Sequence, residues 1–235
     1  MDDLLVSRMA GGPEIFASIQ GEGASAGYPS TFVRLAVCNL RCTWCDTAYT
    51  WDWSRFDRRE QVLPMPAEAV FDTVRALAPR RVVITGGEPL LQRRQLVPLL
   101  TLLNEAGYCV EIETNGTLAP AGAAPLIQQF NVSPKLAHSG NEGLARIRPD
   151  ALRWFAGDER AVFKFVVQDQ ADLAELESLR EAFAIPPGRV ILMPEGRTAD
   201  EIRQRSPWLA DICTQRGYRF STRLHILIWG DKRGV

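Results

Sequence analysis

The sequence is short of several things at once, and each shortage closes off a class of function. Only two histidines, His138 and His225, occur in 235 residues, and neither stands near a cysteine group, so a mixed cysteine and histidine zinc site has little to draw on. Neither sign of charge is in excess. With 27 Lys and Arg against 28 Asp and Glu, a net charge of -1, nothing suggests a broad phosphate-binding face for nucleic acid. No apolar run approaches the length of a membrane span. The opening stretch "MDDLLVSRMAGGPEIF" lacks a basic segment followed by a continuous apolar one, so neither membrane nor export is indicated and a cytoplasmic place is expected. Five cysteines, an odd number at uneven spacing, make a poor disulfide framework in a chain large enough to fold on its own core. No repeat or low-complexity tract appears.

What is present is the balance of an ordinary globular chain, 46% hydrophobic and 23% charged, and residues 1–235 are expected to form a single α/β domain. Six β-branched runs read as strands: 31–38, 80–87, 108–116, 130–136, 161–167 and 189–196. Helical periods lie between them at 66–78 and 90–107, the second stopped by Gly107, and again around Leu173, Leu176, Leu179 and Phe183. A last helix is predicted from the capping-box pair Thr198 and Glu201, with a break or restart at Pro207. Residues 140–158 show neither period, "YTWDWSRFD" (49–57) reads as a loop insertion, and "RLHILIWG" reads as a strand carrying His225. Repeated alternation of strand and helix implies a parallel sheet, either closing towards a barrel or doubly wound. In such folds ligands sit beyond the strand C-termini, and the loops there carry "CNLRCTWCDT", "TGGEP", "ETNGT", "SPK" and "MPEG".

The three cysteines Cys38, Cys42 and Cys45 are spaced C-x3-C-x2-C on one loop. Three thiolates there can hold three irons of a [4Fe-4S] cube and leave the fourth open to a substrate or cofactor. A structural zinc would need a fourth ligand, so the residues favour a cluster, with a zinc-binding or non-enzymatic cluster module as the rival. Cys109 inside a strand and Cys213 on a late helix read as packing thiols.

The cysteine spacing, the aromatic Trp44 between the last two ligands and "TGGEP" at 85–89 resemble the signature of the radical S-adenosylmethionine enzymes. "SIQGEG", "CDT", "ETNGT", "SPK", "KFVV" and "MPEG", in that order around it, are similar to the 7-carboxy-7-deazaguanine synthase family; another radical enzyme, such as a glycyl-radical activase, is the nearest alternative. The resemblance implies a partial (β/α) barrel of about six parallel strands with some helices reduced or missing. It implies a lyase that converts 6-carboxy-5,6,7,8-tetrahydropterin to 7-carboxy-7-deazaguanine with loss of ammonia, on the route to queuosine. A 5′-deoxyadenosyl radical would take hydrogen from the pterin C6, and S-adenosylmethionine would be reused. Carried over residue by residue, it implies cluster ligands at Cys38, Cys42 and Cys45 and a magnesium ligand at Thr47. S-adenosylmethionine contacts fall at Trp44, Cys45, Asp46, Gly87, Glu88, Ser133, Pro134, Lys135 and Gln168. Substrate contacts fall at Ile19, Gln20, Gly21, Glu22, Arg34 and Thr85. A flavodoxin-like electron donor and a homodimer follow from the same resemblance. Arg34 stands out within its strand, pointing opposite to Val33 and Leu35 by the two-residue period; it either grips a substrate carboxylate or serves a buried ion pair.

Overall fold

In the computed structural model, which describes residues 3–235, a single continuous sheet carries eleven strands. They are β1 (Leu4–Met9), β2 (Gly12–Pro13), β3 (Ile15–Ile19), β4 (Pro29–Leu35), β5 (Val62–Met65), β6 (Arg81–Gly86), β7 (Cys109–Thr114), β8 (Gln129–Val132), β9 (Ala161–Val167), β10 (Val190–Pro194) and β11 (Arg219–Phe220). The order β11-β10-β9-β8-β7-β6-β4-β1-β2 runs parallel from β11 to β4, then continues antiparallel through β1. β3 adds to β4 and β5 to β1, both antiparallel. Among the described residues nothing pairs β11 with the far edge, so the sheet curls without closing. This is the incomplete barrel that the resemblance implies.

Among the described residues eight α-helices, α1 (Arg58–Gln61), α2 (Ala67–Arg75), α3 (Arg93–Glu105), α4 (Gly143–Arg146), α5 (Pro149–Gly157), α6 (Gln170–Ala182), α7 (Ala199–Arg216) and α8 (Leu224–Trp229), lie in the connections and after the last strand. The crossover from β7 to β8 has only the 3-10 turns of Ala121–Leu126, a helix reduced to its minimum. All six predicted strands form; β9 keeps its predicted bounds, and the other five are trimmed at their C-terminal ends, where the backbone turns into the loops.

The two-residue period of the strands sorts the sheet into two faces. Val33 and Leu35, Val82 and Ile84, Val110 and Ile112, Phe130 and Val132, Phe163 and Phe165 all pack outward into one core with the helices. Leu96, Leu99, Leu100 and Leu103 of α3 and Val70 and Val74 of α2 meet them there, fully buried. Each such side chain contributes about 1.5–3 kcal/mol over exposure. The alternate positions carry Arg34, Thr85, Glu111, Glu113, Asn131 and Lys164, a polar row on the inner face. The core and the polar row are thus two products of one periodicity.

Three readings are corrected. α7 runs unbroken through Pro207. The ring lies on an exposed turn, Ser206 Oγ donates to Ile202 O (2.6 Å), and Ile202, Leu209 and Cys213 bury a common face on either side. His225 lies on α8, not on a strand, because a short apolar run is ambiguous between the two and Gly230, at φ 71°, stops it as a helix. Residues 140–158, which showed no period, hold α4 and α5.

Candidate active site

The loop after β4 is built by an unusual backbone. Val37 takes φ 75°, a conformation costly for a β-branched residue, and is pinned there at both ends: its N–H donates to Thr50 O (2.7 Å) and its carbonyl accepts from Glu88 N (2.9 Å). The turn aims Cys38 along the inner face. Opposite it, "TGG" needs its glycines, since a Cβ on Gly86, at φ 137°, would stand 1.9 Å from Leu35 O and one on Gly87 would stand 2.2 Å from Val37 O.

Cys38, Cys42 and Cys45 are free, half-buried thiols lining one cavity of about 540 Å³. Each sulfur faces one N–H donor: Leu40 N to Cys38 (3.4 Å), Asn141 Nδ2 to Cys42 (3.3 Å) and Trp51 Nε1 to Cys45 (3.3 Å). Burial pushes the Cys38 thiol up to about 12 and raises Cys42 as well, so these sites favour thiolate only when a metal supplies the positive charge. Among the described residues no three Cys, His, Asp or Glu side chains converge as they would around one ion. A cube spreads its ligands over separate corners, and the set fits three irons of a cluster better than a zinc.

Beside the thiols, Trp44 stacks on His138 at 5.5 Å between ring centres, and Lys135 Nζ lies 5.5 Å from the Trp44 ring while donating to Ser133 Oγ (2.9 Å). Gly87, Asp46 and Thr47 share this end of the cavity. Thr47 leaves its hydroxyl out of any helix cap, with Cys45 Sγ 3.6 Å away.

The other end is a network of charge. Glu22 binds Lys164 Nζ through one oxygen and Arg223 Nε through the other (3.0 Å). Arg223 reaches on to Asp46 and donates from Nη1 to Gly196 O (2.7 Å). Burial alone would raise the Glu22 carboxyl, but Lys164 and Arg223 outweigh it and hold it well below the usual carboxylate range. Asp46 is depressed in the same way, burial being outweighed by Arg223. Burial lowers His225, so its imidazole is neutral near pH 7. Gln20 is spent internally: Nε2 donates to Glu111 (3.0 Å) and Glu113 (3.1 Å), and its oxygen accepts from Glu22 N (3.2 Å). Thr85 Oγ1 donates to Glu113 (2.7 Å). Arg34 donates Nε to Glu14 (2.9 Å), and among the described residues its two terminal nitrogens make no hydrogen bond. The guanidinium is therefore both ion-paired and open to the cavity.

Ile19, Gln20, Gly21, Glu22, Arg34 and Thr85 thus line the same cavity as the thiols, with Trp44, Asp46, Thr47, Gly87, Ser133 and Lys135. Three predicted contacts are not brought to it by their side chains. The Glu88 carboxylate is fully buried and consumed by Leu90 N (2.9 Å), Asn115 N (2.7 Å) and Thr114 Oγ1 (2.8 Å), clamping the "TGGEP" turn to the "ETNGT" loop. Pro134 is buried behind Ser133, and Gln168 is exposed, its N–H donating to Asp172 (2.7 Å). Sequence reasoning missed Glu14, Glu113, Lys164 and Arg223, and left open the part played by the C-terminal stretch "GDKRGV", of which Asp231 to Val235 line the cavity; all are at the cavity wall or directly behind it. For Glu113 and Lys164 a signal was available, since both fall at inward parity in their strands.

The profile of the radical SAM superfamily matches residues 33–150, from the middle of β4 through the thiol loop to the start of α5. Across 94% of the chain, and 95% of the relative, 39% of residues are identical to the 7-carboxy-7-deazaguanine synthase of Pyrobaculum aerophilum. The chain belongs to the 7-carboxy-7-deazaguanine synthase family. The crystal structure of QueE from Escherichia coli superposes with a TM-score of 0.69 at 27% identity, covering 95% of each chain. Streptococcus suis SuiB bound to S-adenosylmethionine shares the fold, with a TM-score of 0.55 at 19% identity over 82% of this chain and 50% of that one. This family is one of radical enzymes, and its use of S-adenosylmethionine and an iron-sulfur cluster accords with the thiol nest at one end of the cavity.

Proposed function

We propose that this protein is a carbon-nitrogen lyase that turns 6-carboxy-5,6,7,8-tetrahydropterin into 7-carboxy-7-deazaguanine and ammonia, in the cytoplasm, as a homodimer fed by a flavodoxin-like donor. The observation that carries the reading is the opposition, within one cavity, of three N–H-supported thiols and an arginine whose fork is open. Bound at Cys38, Cys42 and Cys45, the cluster together with S-adenosylmethionine supplies a carbon radical able to take hydrogen from an unactivated position.

The chain's own residues do the rest by holding and orienting. Arg34 grips the 6-carboxylate with its two terminal nitrogens, a charge-assisted contact whose geometry a lysine cannot copy. Glu113, fixed by Gln20 and Thr85, keeps carboxylate lone pairs for the N–H edge of the pterin. Gln20 acts as the brace of Glu113 rather than as a contact through its own amide. Glu22, Lys164, Arg223 and Asp46 form a chain of alternating charge from the substrate end to the cofactor end, so that the two ligands sit in one rigid frame. Trp44, Ser133, Lys135 and the Gly87 backbone would hold S-adenosylmethionine, and Thr47 would offer its hydroxyl to a magnesium ion, a hard cation that favours oxygen ligands.

The test is anaerobic incubation of the reconstituted protein with S-adenosylmethionine, reductant and carboxypterin, with and without magnesium. Deazaguanine product, increased by magnesium and absent in Cys42→Ala, is expected. Cleavage of S-adenosylmethionine with no deazaguanine would rule out the substrate assignment, and a colourless protein with one zinc would rule out the cluster.

A further inference from the structure

Glu14 lies behind Arg34 with no exposed side-chain surface, and both of its oxygens are occupied. One accepts from Arg34 Nε (2.9 Å) and from the Tyr49 hydroxyl (3.0 Å); the other accepts from Arg233 Nη2 (2.8 Å). Arg233 is itself held at several points: its guanidinium carbon stands 3.6 Å from the centre of the Tyr49 ring, and Nη2 also donates to Ser7 Oγ (3.2 Å) and to Arg8 O. Two residues earlier, Asp231 accepts from Arg197 Nε (2.9 Å) in the loop after β10. The segment is thus tied at one end to the β10 side of the cavity and at the other to the β1 and β3 side.

We propose that Arg233 is a positioning residue for Arg34, acting through the shared carboxylate of Glu14. The reasoning is geometric and rests on the reading of Arg34 as the substrate's anchor. A guanidinium and a carboxylate left to themselves pair by two parallel bonds. Arg233 takes the second oxygen of Glu14, so Arg34 makes only one bond to it, through Nε, and both terminal nitrogens stay available in the cavity. Without Arg233 the freed oxygen captures a terminal nitrogen of Arg34, and the guanidinium draws back against β3.

Steady-state kinetics of Arg233→Ala, Arg233→Lys and Arg34→Lys, singly and combined, test this in the holoenzyme. Arg233→Ala is expected to raise the KM for carboxypterin roughly tenfold or more, with kcat at saturation, iron content and the KM for S-adenosylmethionine close to wild type. Arg233→Lys, which keeps a cation on Glu14, should recover most of the loss. On an Arg34→Lys background, Arg233→Ala should add little, because both act through one contact. An unchanged KM in Arg233→Ala, a full additive effect on the Arg34→Lys background, or an equal loss of cluster would each overturn the role of Arg233. A wild-type protein with no turnover would overturn the activity itself, a separate outcome.

Discussion

Glu22 shows how much one side chain in this cavity carries. Its two oxygens each hold a buried cation, Lys164 and Arg223, and Arg223 passes the connection to Asp46. Glu22→Gln leaves Lys164 without its ion-pair partner and Arg223 with Asp46 alone, and is expected to cost about 3–5 kcal/mol, read from urea unfolding at pH 7. The pH dependence has a definite sign. The folded-state pKa values of Glu22, Asp46 and Glu14 all lie below their ordinary values, so the stability they add is present above roughly pH 4, the unfolded carboxyl range, and is lost as the pH falls towards their folded values. Wild type should therefore weaken steeply below about pH 4.5, and Glu22→Gln should show a shallower acid limb. A second residue-scale case is Gly21, where an added Cβ would stand 2.2 Å from His225 Nδ1. Gly21→Ala should displace that imidazole and raise the KM for substrate severalfold, with far-ultraviolet circular dichroism unchanged; a KM equal to wild type would show that His225 has no part in binding. Legibility at this scale followed locality. Cys38, Cys42 and Cys45 announce themselves by spacing, whereas Arg223 and Glu14 have no local signature and meet the site only through folding.

At the scale of elements, the parallel strands were readable because strands buried on both faces are near-continuous apolar runs. β9, "AVFKFVV", is buried along its whole length, and its single lysine is the one departure. The antiparallel flank of β1, β2, β3 and β5 carries little signal in the sequence: the strands are short, β1 and β2 meet in a tight hairpin of a few residues, and β5 takes its register from β1, where Leu4 pairs with the distant Met65. Signals at helix ends are better guides here than interior ones. Thr198 and Glu201 do form a capping box on α7, while Pro207 misled, because a buried face on both sides of it outweighs one missing hydrogen bond. Thr198→Ala is expected to lower stability by about 1 kcal/mol with no change in kcat. Equilibrium denaturation checks it, and a loss beyond about 2 kcal/mol would mean that the cap does more than satisfy the first turn.

At the scale of the molecule, the apolar core and the thiol nest are separate. None of Cys38, Cys42 or Cys45 belongs to the core cluster, which is built from the outer face of the sheet and the helices. Iron removal should therefore abolish activity and colour while leaving cooperative unfolding in place. Small zinc-organised domains behave in the opposite way, because for them metal binding is folding. Loss of a cooperative transition in the iron-free protein would contradict this separation.

The donors around the three sulfurs have a consequence for electron supply. A hydrogen bond to a cluster thiolate favours the reduced, more negative state and so raises its potential. The donor to Cys38 is the main-chain N–H of Leu40, beyond the reach of side-chain substitution, but those to Cys42 and Cys45 are Asn141 and Trp51. Asn141→Leu and Trp51→Phe should each move the midpoint to a more negative value in a potentiometric titration. Residues that touch neither substrate nor cofactor would then set how strong a reductant the cell must provide.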